Sequence, residues 1–158
     1  MFCKALGKKS LIAIVVSIAT STVMLWEGYE NTAYQDVVGV WTICSGETQN
    51  VHKGMYLSDR ECEEMTSERV EEFARGVDDL VHVDVSPRYH AAITSWAYNV
   101  GLNAMAQSTL LRKLNAKNYK GACKELLRWN RAGGRVIQGL VNRRQYEFEM
   151  CMEGVNEG

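Results

Sequence analysis

The sequence predicts an α+β fold in which a small β-hairpin lobe and a larger helical lobe enclose a ligand cleft. Three observations support this prediction: a hairpin pattern over residues 31–44, two long helices with clear start signals, and shorter helical patterns in the second half. The chain has 158 residues and one proline. This length is enough for one domain with a sizeable core.

The hairpin is predicted from a turn and an alternating strand. Val38-Gly39 can form the turn, and the five residues VWTIC that follow, 40–44, alternate between the two faces of a strand. Thr42 should therefore point away from Trp41 and line the cleft.

Capping signals define the long helices. Ser58-Asp59-Arg60-Glu61 is a capping box that begins a helix over residues 58–80. Ser86-Pro87 begins a second helix, and Gly101 ends it. Three further helical patterns cover residues 108–115, 119–131 and 139–152, with Gly133-Gly134 between the last two.

The N-terminus has the composition of an export signal. Lys4, Lys8 and Lys9 precede an uncharged, mainly apolar run over residues 10–26. This run of 17 residues is at the short limit for a membrane span, and its serine and threonine residues make insertion marginal. Three interpretations remain: a signal peptide cleaved after Ser17-Ile18-Ala19, a permanent anchor, and a segment that inserts and later leaves the bilayer.

The five cysteines fit an exported chain, because export permits disulfides. Cys3 precedes the apolar run, and the other four lie in the body. Three connectivities are open for those four, and buried free thiols are the alternative. The sequence has no Cys-x-x-Cys or His-x-x-x-His spacing, so we expect no metal site and no cofactor.

The net charge of −1 hides a basic segment. Residues 112–146 carry ten lysine or arginine residues and one acid, Glu125. This composition indicates either solvated helix faces or a surface for an anionic polymer such as nucleic acid or cell wall. Export argues against nucleic acid, and we expect no such partner.

Glu27 and Asp36 form a candidate pair of catalytic carboxylates. A glycosidic bond can be cleaved by one protonated carboxyl group and one ionised carboxylate. Glu27 follows an apolar run, where desolvation favours the neutral form, whereas Asp36 lies in a polar turn. The hydroxyl of Thr42 can hold a water molecule. Spacing alone is weak support, because carboxylates are common at helix ends and in turns.

The residues around these three carry a wider pattern. It consists of Glu27-Gly28-Tyr29, Ala33-Tyr34, Asp36, Gly39, Thr42-Ile43 and Gly46. Supporting residues follow in order: Tyr98-Asn99-Val100-Gly101, Ser108-Thr109-Leu110-Leu111, Gly139-Leu140 and Arg143-Arg144. Over roughly residues 20–152, the chain resembles the phage-type lysozymes, the muramidases with which phages open their hosts.

The resemblance implies a lysozyme-like fold and assigns the site residues. Glu27 would be the general acid, Asp36 the catalytic carboxylate and Thr42 the residue that positions water. The reaction would be inverting hydrolysis of the β-1,4 bond between N-acetylmuramic acid and N-acetylglucosamine in peptidoglycan. Arg143 matches an arginine that pairs with the acid in this family.

The resemblance also bears on the cysteines and on assembly. Cys123 and Cys151 fall on helices that pack together in the family, which implies that they pair. Cys44 and Cys62 then remain as the second candidate pair. We expect a monomer that acts on peptidoglycan.

The N-terminus resembles that of the signal-anchor-release endolysins. This implies a signal-anchor segment over residues 1–26 and a catalytic domain over residues 20–158. Residues 10–26 would hold the chain at the host inner membrane, on its periplasmic side, until release into the periplasm activates it. Some relatives are activated through a cysteine in the anchor, but in those relatives a cysteine occupies the position of the catalytic carboxylate. Here that position is Asp36, and Cys3 precedes the apolar run.

Two alternatives stay open at this point. A lytic transglycosylase cleaves the same bond with a glutamate and does not need the aspartate. A non-enzymatic, membrane-tethered protein that binds the cell wall would tolerate loss of the Glu27 carboxylate.

Overall fold

The computed structural model describes residues 8–157, with side chains from residue 11 onward. Its helices are α1 (Lys8–Glu27), α2 (Asp59–Leu80), α3 (Pro87–Val100), α4 (Leu102–Ala106), α5 (Thr109–Asn115), α6 (Tyr119–Glu125) and α7 (Gln138–Asn156). Its strands are β1 (Glu30–Gln35), β2 (Trp41–Cys44), β3 (Arg131–Ala132) and β4 (Arg135–Val136). The order confirms the predicted α+β fold with a small hairpin lobe and a larger helical lobe.

The first hairpin forms where the sequence predicts it. Strands β1 and β2 pair antiparallel, with Tyr34 opposite Thr42. The turn closes where the Gly39 N–H donates to the Asp36 carbonyl at 3.0 Å. Burial along β2 does not alternate, however, because Thr42, Ile43 and Cys44 are all buried. Both faces of β2 are covered, and the Ile43 side packs into a small core with Cys62 of α2.

The capping signals place the long helices correctly. Ser58 and Glu61 form the reciprocal capping box at the start of α2. Ser86 caps α3, where its Oγ accepts from the Tyr89 N–H at 3.2 Å. Both helices end within one residue of the predicted position.

The predicted helix over residues 119–131 is wrong beyond Glu125. Helix α6 ends there, a 3-10 turn follows over Leu126–Arg128, and strands β3 and β4 form a second hairpin. Its two-residue turn is Gly133-Gly134, with φ values of +55° and +77°. A turn that needs positive φ at both central residues favours glycine there.

The main core surrounds α3. Residues Tyr89 to Ala97 of this helix are all buried, and the helix packs against α1, α2 and α7. Trp96 is fully buried and meets Trp129 edge-on, with ring centroids 5.3 Å apart. Apolar burial of this extent is the main stabilising contribution to such a lobe.

Helix α1 is part of this helical lobe. Val15, Val16, Ala19 and Val23 are buried in a cluster shared with α2 and α3. Among residues 8–157, no helix has both the length and the apolar character required to cross a membrane. Cys3 and Lys4 lie outside the described residues.

Within residues 8–157, two disulfides cross-link the elements. Cys44–Cys62 joins β2 to α2 and so ties the hairpin lobe to the helical lobe. Cys123–Cys151 joins α6 to α7. These are the pairs that the family resemblance implies. Each removes conformational freedom from the unfolded chain.

Candidate active site

Glu27 lies at the junction of the two lobes. It is the last residue of α1, and Gly28 leaves the helix with φ at +64°, a conformation that glycine adopts without strain. The Ser45 hydroxyl, just after β2, donates to the Gly28 carbonyl at 3.1 Å. The backbone next to Glu27 is therefore attached to both lobes.

The Glu27 carboxylate meets Arg143 of α7. Arg143 Nη1 donates to Glu27 Oε1 at 2.5 Å. The Arg143 side chain is only 4% exposed, whereas that of Glu27 is 28% exposed. The acid thus keeps a face toward solvent while a buried cation holds one of its oxygens. This charge-assisted bond fixes the carboxylate more strongly than a neutral one would. Glu27 is less desolvated than its place after the apolar run suggested.

Arg143 is itself held by two further acceptors. Its Nε donates to Glu147 Oε1 at 3.0 Å, and its Nη2 donates to the Ser95 carbonyl at 3.1 Å. The sequence reasoning missed Glu147 and Ser95. A signal for Glu147 was present, because it lies four residues after Arg143, on the face of α7 that buries Met150 and Cys151.

Arg144 completes a buried ionic cluster with Glu147. Both side chains are fully buried, and Arg144 Nη1 lies 3.2 Å from Glu147 Oε2. Arg144 also donates to Asn99 Oδ1 of α3. Burial lowers the pKa of Arg144, an effect that Glu147 opposes. Burial raises the pKa of Glu147, and the guanidinium groups of Arg144 and Arg143 oppose that rise.

Asp36 is oriented by the turn that follows β1. Its Oδ1 accepts from the N–H groups of Val38 and Val40, each at 2.9 Å. Two backbone donors at one oxygen hold the carboxylate in a fixed direction, as in an Asx turn. The half-buried side chain therefore does not depend on another side chain for its orientation.

Thr42 shares a backbone partner with Asp36. The side chain of Thr42 is buried, and its Oγ1 donates to the Val40 carbonyl at 3.1 Å. The Val40 N–H thus donates to Asp36 Oδ1, and the Val40 carbonyl accepts both from the Asp36 N–H at 2.9 Å and from Thr42 Oγ1. The threonine hydroxyl keeps its acceptor capacity for a further donor. The structure links Asp36 to Thr42 through Val40, and it pairs Glu27 with Arg143.

Tyr98 supports the junction from α3. Its hydroxyl donates to the Ser45 carbonyl at 3.2 Å, so Ser45 bonds both to Tyr98 and to the residue after Glu27. Burial raises the pKa of Tyr98 to about 12, with a further contribution from the charge of Glu27. The phenol is therefore a hydrogen-bond donor throughout the neutral range.

The basic segment over residues 112–146 is not one continuous surface. Arg143 and Arg144 are buried. Glu125 forms ion pairs with Lys113 at 2.6 Å and with Arg128 at 3.3 Å. Within the described part of the chain, no three metal-ligating side chains form a cluster.

A family model described as phage lysozyme matches residues 24–147. The chain belongs to the phage lysozyme family. It is 39% identical over 129 residues to the SAR-endolysin of Enterobacteria phage P21, a match that covers 81% of this chain and 78% of the relative. It is 35% identical to the SAR-endolysin of Pseudomonas phage phiKMV, with 92% of each chain covered.

The solved structures agree with this family. A mutant of P22 lysozyme is similar with a TM-score of 0.81 and 31% identity, covering 86% of this chain and 96% of that one. The fold is therefore that of a phage lysozyme. As a member of this family, the protein is a peptidoglycan-hydrolysing enzyme. Glu27, Asp36, Thr42 and Arg143 all lie within the matched segment.

Proposed function

We propose that the protein is an inverting muramidase that cleaves the β-1,4 bond between N-acetylmuramic acid and N-acetylglucosamine. Glu27 donates a proton to the leaving oxygen. Asp36 acts as the base for a water molecule that Thr42 positions on the opposite face of the sugar. The product would keep a free reducing end with inverted anomeric configuration.

The contact between Glu27 and Arg143 carries this proposal. A general acid must be held rigidly and must still reach substrate. Glu27 meets both conditions, because a buried guanidinium holds Oε1 at 2.5 Å while 28% of its side chain stays exposed.

The second half of the site supports hydrolysis rather than transglycosylation. Asp36 receives two backbone hydrogen bonds at Oδ1, and Thr42 shares Val40 with it. A carboxylate beside a hydroxyl can orient and deprotonate a water molecule. A lytic transglycosylase does not need the aspartate.

The experiment compares Glu27→Gln, Asp36→Asn and wild type on purified peptidoglycan, with analysis of the products. Glu30→Gln, the same change three residues along, is the matched control. We expect reducing-end products of the α anomer from wild type and from Glu30→Gln, and no turnover from Glu27→Gln. Anhydro-sugar products would show that the enzyme is a lytic transglycosylase and would overturn the proposal of hydrolysis. Full activity of Glu27→Gln would overturn the assignment of the acid.

We also propose that residues 1–26 act as a signal anchor for the catalytic domain over residues 20–158. Export would leave the chain at the periplasmic side of the host inner membrane, and release into the periplasm would activate it. The names of the relatives as SAR-endolysins support this. The hydroxyl-rich composition of α1 supports it as well, because such a helix would leave lipid easily.

The packing of α1 gives a physical reason for inactivity before release. Val15, Val16, Ala19 and Val23 are buried against α2 and α3, and the same side chains would face lipid in an inserted helix. Insertion and docking therefore exclude each other. Since Glu27 directly ends α1, an inserted α1 would hold the acid away from Arg143. The equilibrium between the two states would set activity.

A further inference from the structure

Glu147 is a buried carboxylate to which the proposed chemistry assigns no role. It is completely buried, and its Oε1 accepts from Ser95 Oγ at 2.8 Å and from Arg143 Nε at 3.0 Å. It is thus one contact removed from Glu27, on the side of Arg143 that faces the core.

Stability alone is a weak reason for such a group. Removing a carboxylate from water has a large cost, and buried ion pairs often contribute no more stability than apolar residues of the same volume. The cluster here contains the formal charges of two arginines and of Glu147, with Glu27 as the fourth member. An apolar residue at position 147 would pack without that cost but could not accept a bond from Arg143.

The geometry around Arg143 shows what Glu147 adds. A guanidinium group is planar, with its donors in a rigid fork. Glu147 fixes Nε from α7, and the Ser95 carbonyl fixes Nη2 from α3. Because the group is rigid, the two hydrogen bonds from Nε and Nη2 restrain its orientation, and Nη1 is then directed at Glu27.

We propose that Glu147 is a positioning residue for the reaction, acting through Arg143 to hold the Glu27 carboxylate in its working orientation. This inference rests on the proposed role of Glu27 as the acid. Ser95 belongs to the same arrangement, since its hydroxyl binds Glu147 and its carbonyl binds Arg143.

A second buried carboxylate provides the matched control. Glu125 is 8% exposed and pairs with Lys113 at 2.6 Å, and neither its hydrogen bonds nor its ion pairs involve Arg143. Loss of its charge removes an ion pair from the same helical lobe, but one whose cations, Lys113 and Arg128, are solvent-exposed. A purely structural role for Glu147 predicts a loss of stability without a loss of kcat, as at Glu125.

The first experiment measures kcat and KM of full-length Glu147→Leu, Glu147→Gln and Glu125→Gln on soluble glycan strands of peptidoglycan, with thermal unfolding in parallel. For Glu147→Leu we expect kcat to fall about a hundredfold with KM nearly unchanged, because a small misplacement of the acid has that effect. The kcat of Glu147→Gln should fall only about tenfold, because the amide oxygen of glutamine can still accept a hydrogen bond from Arg143 Nε. Glu125→Gln should change Tm and leave kcat unaltered. Equal kcat for Glu147→Leu and wild type would overturn the proposal.

The second experiment is a double-mutant cycle with Arg143→Ala. If Glu147 acts through Arg143, Glu147→Gln should lower kcat no further in the Arg143→Ala background. Additive losses would overturn the proposal. Ser95→Ala removes the hydroxyl that binds Glu147 without changing any buried charge, and we expect kcat to decrease by a few fold.

Glu27→Gln is measured beside these variants. If Glu27→Gln is active, the proposed function is refuted. If Glu27→Gln is inactive and the Glu147 variants keep the wild-type kcat, only the positioning role of Glu147 is refuted.

Discussion

Glu27 and Arg143 are 116 residues apart in the chain and meet at 2.5 Å. The contact joins the end of α1 to the first turns of α7. Trp26 adds to the same interface, with its ring 5.8 Å from that of Tyr146. Glu27 therefore reaches this position only when the first and last helices of the structure are packed together.

Replacement of Arg143 by lysine should impair catalysis although it keeps the charge. One ammonium group cannot satisfy Glu27, Glu147 and the Ser95 carbonyl with the geometry of a guanidinium fork. We expect kcat to fall about a hundredfold, as measured on purified peptidoglycan. Arg131→Lys, the same change in the β3–β4 hairpin, should have no effect. Full activity of a folded Arg143→Lys would show that the fork is dispensable.

Thr42 should contribute through its hydroxyl. Thr42→Ala removes the group proposed to hold water and should lower kcat about a hundredfold. Thr42→Ser keeps the hydroxyl and should retain most of the activity. Thr32→Ala, at an exposed position of β1, is the control. A serine variant as impaired as the alanine variant would indicate that the methyl group matters instead.

Release from the membrane should slow when α1 becomes more apolar. Ser17 and Ser21 are exposed on α1, so Ser17→Leu with Ser21→Leu leaves the buried face intact. We expect more protein in the membrane fraction and later lysis, because leucine favours insertion. The measurement is a time course of membrane and soluble fractions alongside lysis.

The groove between α1 and α2 provides the control for this variant. Ser67 of α2 lines the groove together with Ser17 and Ser21. Ser67→Leu adds apolar volume there without changing α1 and should leave the rate of release unaltered. Lysis at the wild-type rate by a fully membrane-retained Ser17→Leu, Ser21→Leu variant would contradict activation by release.

Glu125 should make stability depend on acid pH. The hydrogen bond from Lys113 lowers the pKa of Glu125 from its ordinary value of 4.5, and Arg128 adds to the effect. A group with a lowered folded-state pKa stabilises the fold above the unfolded value and loses that effect as pH falls through the folded value. Glu125→Gln should lower Tm by about 2 °C at neutral pH. It should also show a smaller loss of Tm than wild type between about pH 5 and about pH 3.

An exposed acid serves as the comparison for Glu125. Glu68 lies on the solvent face of α2, and Glu68→Gln should have the wild-type Tm at neutral pH. Parallel Tm curves for Glu125→Gln and wild type would show that this carboxylate contributes no pH dependence.

Several features of the protein were predictable from local patterns. The capping box at Ser58 and the Ser86-Pro87 start signal depend on bonds within one turn of helix, and α2 and α3 begin there. The first hairpin depends on a turn of a few residues. The family pattern around Glu27, Asp36 and Thr42 is contiguous, so the chain could be recognised without a fold.

The errors lie where a local pattern competes with distant packing. Residues 126–131 have a helical pattern, but the chain leaves the helix and forms β3 and β4 around Gly133-Gly134. The alternation along β2 is not reflected in burial, because Thr42, Ile43 and Cys44 are all buried and the Cys44–Cys62 disulfide ties the strand to α2.

The sequence by itself determined the fold class and the long helices, because short-range hydrogen bonds and side-chain periodicity specify these. The candidate acid, Glu27, was named by the resemblance to the phage-type lysozymes. Only the tertiary structure decided that α1 packs into the helical lobe and that Glu147 and Ser95 orient Arg143. Those contacts join α1, α3 and α7. Their geometry depends on how helices distant in sequence pack, which no local pattern of residues encodes.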